Sequence, residues 1–174
     1  MKLNKEIKDK RPEKKVILGI DPGSTTIGYG AISYYSINKI AEVLGYGYID
    51  LKNHKNQETK LLQLHKDLQE VFEKYNPDAM AIENVYFFKN SKTFTSVSQS
   101  KGVILLTAAQ ANINICEYTP LQVKQTISGY GKAQKSLIEK LVKSLLNINS
   151  NIKPDDASDA LAIAICHLNH LTLS

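Results

Sequence analysis

The sequence predicts an α/β fold, a mixed sheet with helices on both faces, and three observations carry that expectation. The first third of the chain holds three apolar runs at hairpin spacing, rich in Ile, Val and Tyr. Near residue 58 the apolar period changes from strand-like to three and four residues, the spacing of one helical face. From there on, short apolar runs alternate with helical patterns, which calls for strands lying parallel with helices packed across them. With 174 residues and 43% hydrophobic content the chain can bury one sizeable core, so the expected organisation is a single domain over residues 15–174.

Residues 15–21, KVILGID, form a continuous apolar run that ends in a carboxylate, the mark of a buried strand. Pro22, Gly23 and Ser24 turn the chain. Residues 26–35 and 39–51 make two further strands of a meander, with a turn at 36–38. Over residues 58–75, Leu61, Leu64, Leu68, Val71 and Phe72 line one side of an amphipathic helix, and Asn76, Pro77 and Asp78 stop it. Residues 79–83, AMAIE, are another short strand ending in an acid. A polar and aromatic loop follows at 84–90, then a helix at 91–112 and a strand at 113–118. A short helix at 121–127, a break at Gly129, Tyr130 and Gly131, a helix at 133–146 and a last helix at 155–171 complete the chain. Residues 103–111 are apolar almost all round, which suits either a buried helix or an interface between copies.

The formal net charge is +5, but it is unevenly spread: residues 1–15 carry seven basic groups against three acidic ones. Residues 1–14 read as a basic, flexible arm, either attracted nonspecifically to phosphates or simply solvated, while the rest is nearly neutral. No apolar run is long enough to cross a bilayer and the N-terminus lacks the apolar core of a signal peptide, so a cytoplasmic, membrane-free protein is expected. Cys116 and Cys166 lie within apolar patterns without metal-ligand spacing and read as buried thiols of a reducing compartment. His167 and His170, near the end of the last helix, are explained by the helix dipole.

The acids are more informative. Asp156 and Asp159 stand three residues apart where the last helix begins, and at that spacing their side chains are neighbours on one face. Two negative charges side by side call for something positive between them, and a hard divalent cation supplies it. Alternatively they decorate a helix N-terminus, with Pro154 starting the helix. Asp21 and Glu83 each end a strand, and ligands bind α/β sheets at the carboxyl ends of the strands. If those strands are adjacent and parallel, and the last helix starts at the same rim, Asp21, Glu83, Asp156 and Asp159 assemble an all-oxygen site suited to Mg²⁺ or Mn²⁺. Singly, Asp21 could be a turn former before Pro-Gly and Glu83 an exposed strand end.

Four segments in order, ILGIDPGS around Asp21, AIENVYFFKN around Glu83, VKQTISGYGKAQK from Val123, and DASDALAIA from Asp156, resemble the RuvC family of Holliday junction endonucleases. The likeness spans residues 15–170. It implies an RNase H-like fold in which Asp21, Glu83, Asp156 and Asp159 are the catalytic and metal-binding tetrad for two Mg²⁺ ions, with Mn²⁺ as a substitute. Some members carry His at the first acid of the last helix, where this chain has Asp156. The implied activity is resolution of four-way DNA junctions by paired symmetric nicks in recombination and repair, leaving 5′-phosphate and 3′-hydroxyl ends. Lys124 and Lys135 match basic positions near the scissile phosphate. Tyr86 stands where the family usually has a Phe that stacks on unpaired bases, so the ring is kept but the base preference is open. Lys89 and Asn90 contact backbone or solvate their loop, and Phe87 and Phe88 anchor it or add to the wedge. A homodimer and a branch-migration helicase are the implied protein partners. Asp155 has no counterpart in the motif and is expected to be dispensable.

Two other classes share parts of this pattern. A catalytically silent junction-binding protein would keep the lysines and Tyr86 but lose an acid, and all four are present. The GIDPG run alone also resembles a phosphate loop of actin-like ATPases, but such a protein needs a second phosphate loop and a longer, two-lobed chain.

Overall fold

Five strands form one mixed sheet in the order β3-β2-β1-β4-β5. The computed structural model describes residues 12–38, 40–84 and 91–173. β1 (Lys14–Asp21), β2 (Thr26–Tyr35) and β3 (Glu42–Asp50) run as the expected antiparallel meander. After α1 (Gln57–Tyr75), β4 (Ala79–Glu83) lies parallel to β1, and after α2 (Ser91–Gln110), β5 (Asn114–Tyr118) extends the parallel half. α3 (Pro120–Ser128), α4 (Lys135–Leu145) and α5 (Asp155–Leu173) follow. The fold class is the one the sequence predicts. Bounds differ at element ends: β3 begins at Glu42 rather than 39, and α4 begins at Lys135 rather than 133 because Ala133 closes a turn onto the Tyr130 carbonyl. Lys14, placed at the end of the arm by its charge, already pairs with Tyr35 in β1; residues 1–11 lie outside the described residues.

Side chains alternate along β1 and so feed two cores. Leu18 and Ile20 join Ile27, Ala31 and Met80 beneath α1 and α2, whose Leu64, Leu68, Phe72, Ile104 and Ala108 are buried there. Ile17, with Ile32 and Ala81, faces α3, α4 and α5. α1 stops at Asn76, which adopts the left-handed conformation (φ 43°) and donates its backbone N–H to the Phe72 carbonyl. Asp78 then accepts from the Val16 N–H (2.8 Å) and the Lys15 ammonium (3.1 Å), tying the start of β4 to β1.

α5 lies almost on the sheet backbone. A Cβ added at Gly19 would meet the Ala160 carbonyl oxygen at 2.0 Å, and one added at Gly30 would meet Leu161 Cδ2 at 2.7 Å. Bare strand backbone lets the helix approach, and Ala160, Leu161, Ala162, Ile163 and Ala164 are buried as a result.

Three expectations need correction. Cys116, on edge strand β5, is only half-buried, whereas Cys166 is buried as expected. His167 is buried, its Nδ1 2.7 Å from the Tyr118 hydroxyl, and burial lowers its pKa; a neutral ring bonded to a phenol replaces the charged ring at a helix end. Within residues 103–111, Ile104 and Ala108 are buried but Leu106 is 57% exposed, so burial in this chain's own core explains only one side of the helix. Among the described residues, no helix is long and apolar enough to cross a membrane.

Candidate active site

The parallel pairing of β1 and β4 sets Ile20 opposite Ile82. One residue further on, Asp21 and Glu83 therefore leave the sheet at the same carboxyl-end rim. Asp21 is also paired across β1 and β2 with Gly28. A Cβ at Gly28 would lie 2.0 Å from the Asp156 carbonyl oxygen, so the missing side chain is what lets the first turn of α5 settle beside Asp21. Asp159 follows at i+3 on the same helix.

Asp21, Glu83 and Asp159 line one cleft of ≈330 Å³ with Lys124 of α3 and Lys135 of α4; Val123, Ile138, Ala162 and Ile163 provide apolar walls. Asp156 lines an adjoining cleft of ≈760 Å³ with Lys52, Lys135 and Lys153. Three of the four acids thus share one cleft and Asp156 lines the adjoining one, with Lys135 common to both; the charge of Asp156 reaches both Asp21 and Asp159.

The electrostatics are those of acids forced together. Asp21 is pushed up to about 8, first by burial and then by the charges of Asp159, Glu83 and Asp156, which Lys135 partly offsets. Glu83 is raised by burial and by Asp159, against the pull of Lys124 and Lys135. Asp159 is raised by burial despite its hydrogen bond from Lys135. The Lys135 ammonium lies 2.8 Å from Asp159 and 3.6 Å from Asp155. Its burial acts to lower its pKa, but the hydrogen bond to Asp159 and the nearby carboxylates outweigh this and raise it.

Local sequence explains how the two lysines are presented. α3 opens on a reciprocal cap: Thr119 Oγ1 accepts from the Gln122 N–H (3.1 Å) while Gln122 Oε1 accepts from the Thr119 N–H (2.8 Å). It closes on Gly129 in the left-handed region (φ 72°). That turn starts the short path to Lys135, the first residue of α4.

All-carboxylate donors of one charge suit a hard divalent cation, and their mutual repulsion at Asp21 is what such an ion would relieve. Among the described residues no three His, Cys, Asp or Glu side chains close around one point at ligand spacing, and Asp159 is held by Lys135. The donor types therefore fit a metal, which would have to draw the carboxylates together.

Asp155 is exposed, lines the second cleft beside Asp156, and stands 3.6 Å from the Lys135 ammonium. Tyr86 and Lys89, with Phe87, Phe88 and Asn90, lie outside the described residues. Reading the sequence residue by residue missed Lys52 and Lys153 of the second cleft, and Lys101, whose ammonium lies 2.6 Å from Glu117 and 3.1 Å from Asn84. It also missed Gly28, although a glycine inside a strand pattern signals close backbone approach.

The family model described as Crossover junction endodeoxyribonuclease RuvC matches residues 17–167. A protein of that description from Halothermothrix orenii is 48% identical over 159 residues, covering 91% of this chain and 95% of the relative. The Fusobacterium nucleatum protein is 45% identical, over 89% of this chain and 80% of its own. Among solved structures, T. thermophilus RuvC in complex with Holliday junction substrate superposes with a TM-score of 0.85 at 28% identity, covering 91% of this chain and 96% of that one. The yeast mitochondrial Holliday junction resolvase shares the fold at a TM-score of 0.62 and 16% identity, over 87% of this chain and 78% of that one. The sheet order and helix layers are thus RNase H-like, as expected.

Proposed function

This chain belongs to the RuvC family of crossover junction endodeoxyribonucleases, and we propose that it resolves Holliday junctions by Mg²⁺-dependent hydrolysis of one phosphodiester in each of two opposing strands. The observation that carries this reading is Asp21, buried against Asp159, Glu83 and Asp156 and pushed up to about 8, in a cleft that also presents Lys124 and Lys135. A carboxylate so disfavoured has little structural value and is suited to taking up a cation.

Asp21, Glu83, Asp156 and Asp159 would hold two Mg²⁺ ions, or Mn²⁺ in their place. When bound, such ions lower the pKa of an attacking water and stabilise the charge on the leaving oxygen. Asp21, central to the charge cluster, would serve both ions. Lys124 places a cation in the cleft that offsets the negative phosphate. Lys135 balances Asp159 and is positioned to move from carboxylate to phosphate as the substrate enters. The apolar wall of Val123, Ile138, Ala162 and Ile163 lowers the local dielectric and strengthens each of these interactions. The products are 5′-phosphate and 3′-hydroxyl ends, in the course of recombination and repair in the cytoplasm.

A four-way junction has twofold symmetry, so two sites related by a twofold axis could nick opposing strands together. We assign the chain to a homodimer on that ground, with the exposed Leu106 side of α2 available for the contact. Tyr86 and Lys89, between β4 and α2, would meet the junction's unpaired bases and backbone. The nuclease domain, which includes Lys14 in β1, carries a basic arm before it that is drawn to phosphates, and a branch-migration helicase delivers the junction.

The test is a nicking assay on a synthetic four-way junction with Mg²⁺, comparing native protein with Asp21→Asn. Native protein is expected to cut and the variant to bind without cutting. Binding without cutting by native protein across divalent ions and junction sequences would remove the nuclease reading. Equal cutting by both would remove Asp21 from it.

A further inference from the structure

Lys101 lies in the middle of α2, outside both clefts, yet its side chain is only 12% exposed. Its ammonium donates to Glu117 Oε2 at 2.6 Å and to Asn84 Oδ1 at 3.1 Å. Asn84 directly follows Glu83, and its backbone N–H donates to the Tyr118 carbonyl at 2.7 Å. Tyr118 is in turn the β5 residue in register with Glu83. The strand end carrying Glu83 is thus held from two sides, by β5 through its backbone and by α2 through Lys101.

The needs of Glu117 do not account for this arrangement. Glu117 is 40% exposed and would be well solvated without Lys101. Glu83, by contrast, belongs to a cluster of repelling carboxylates, and a strand end under such repulsion needs an anchor to keep its side chain aimed at the cleft. Lys101 supplies one from an element that does not itself reach the reacting groups. The same lysine spans the 85–90 segment, fastening α2, which begins just after it, to Asn84, which stands just before it.

We propose that Lys101, acting through Asn84, is a positioning residue for Glu83: the α2 to Asn84 link fixes where the second carboxylate of the cleft stands. This rests on the nuclease reading of that cleft. Groups that orient metal ligands change rate or metal affinity by roughly 10- to 100-fold when removed, whereas a purely structural ion pair between α2 and β5 would act through Glu117 and leave Asn84 without effect.

The test is a double-mutant cycle with Lys101→Met and Asn84→Ala, read as single-turnover nicking of a four-way junction against Mg²⁺ concentration, with junction Kd measured in EDTA. Each single variant is expected to cut about tenfold more slowly or to need about tenfold more Mg²⁺, with Kd within about threefold of native and the double variant no worse than either single one. Lys101→Arg should recover part of the loss. The proposal is overturned if Asn84→Ala cuts like native protein, if the two losses multiply, or if the loss follows Kd. In those cases native cutting still stands and the nuclease reading survives; if native protein itself does not cut, both readings fall.

Discussion

Replacing Asp21 with Asn should abolish cutting and at the same time stabilise the folded chain, by an amount that depends on pH. Asp21 has an ordinary pKa of 3.8 and stands at about 8 in the fold. At about 1.36 kcal/mol per pH unit, that displacement disfavours the ionised folded form by on the order of 5 kcal/mol. Below pH 4 the carboxyl is protonated in both folded and unfolded chains and costs nothing. Between pH 4 and about 8 the folded chain keeps a proton that the unfolded chain has lost, so wild-type stability falls as pH rises through that window. Asp21→Asn does not titrate, but its amide gives back about 1–3 kcal/mol where hydrogen bonds go unmade. The net gain is about 2–4 kcal/mol at pH 8, or roughly 4–16 °C in Tm for a chain of this length. Thermal melts in EDTA at pH 4, 6 and 8 measure it. The variant should be less stable than native protein by about 1–3 kcal/mol at pH 4, and the difference should swing in the variant's favour towards pH 8. A difference that stays constant, or moves further against the variant, with rising pH would refute the placement of Asp21 among repelling, buried carboxylates.

Other outcomes follow from the same geometry. Lys135→Ala removes the cation 2.8 Å from Asp159 and should slow single-turnover nicking by roughly a hundredfold, with Lys135→Arg partly active. Gly28→Ala puts a methyl 2.0 Å from the Asp156 carbonyl oxygen; it should cost about 1–3 kcal/mol or more in denaturant unfolding and lower nicking as α5 is pushed out. Gly102→Ala, with nothing within 4 Å of the added methyl on α2, should instead be neutral or stabilise by up to about 1 kcal/mol. Asp155→Asn should cut within about twofold of native protein, while Asp156→Asn, one residue along, should lose at least about tenfold in the same assay.

The ends of β1 and β4 were legible because both runs stop on a carboxylate, and a buried strand has few ways to end in an acid except at a rim. α1 was legible because Leu64, Leu68, Val71 and Phe72 keep a helical period, and all four are buried. What could not be read was how closely α5 sits on β1 and β2. That depends on Gly19, Gly28 and Gly30 meeting Ala160, Asp156 and Leu161 across long separations in sequence, a three-dimensional coincidence with only a weak local signature. The same limit hid the place of Lys135, because helical spacing puts Asp156 and Asp159 on one face without saying that a lysine from another helix lines the cleft beside each of them. Lys101 was invisible for a related reason: its partners Asn84 and Glu117 come from the residue after β4 and from β5, and a lysine in mid-helix looks the same in sequence whether it is solvated or clamped. His167 was misread because its partner, Tyr118, is 49 residues away.

The most direct test of the account is to map cuts on all four strands of a synthetic junction, beside a linear duplex of the same sequence, with Mg²⁺ and with EDTA. The account predicts paired nicks at symmetry-related positions on two opposing strands, with ligatable 5′-phosphate ends, in Mg²⁺ only and on the junction alone. Cuts in EDTA, cuts on the duplex at the same rate, or unpaired nicks scattered over the four strands would contradict it.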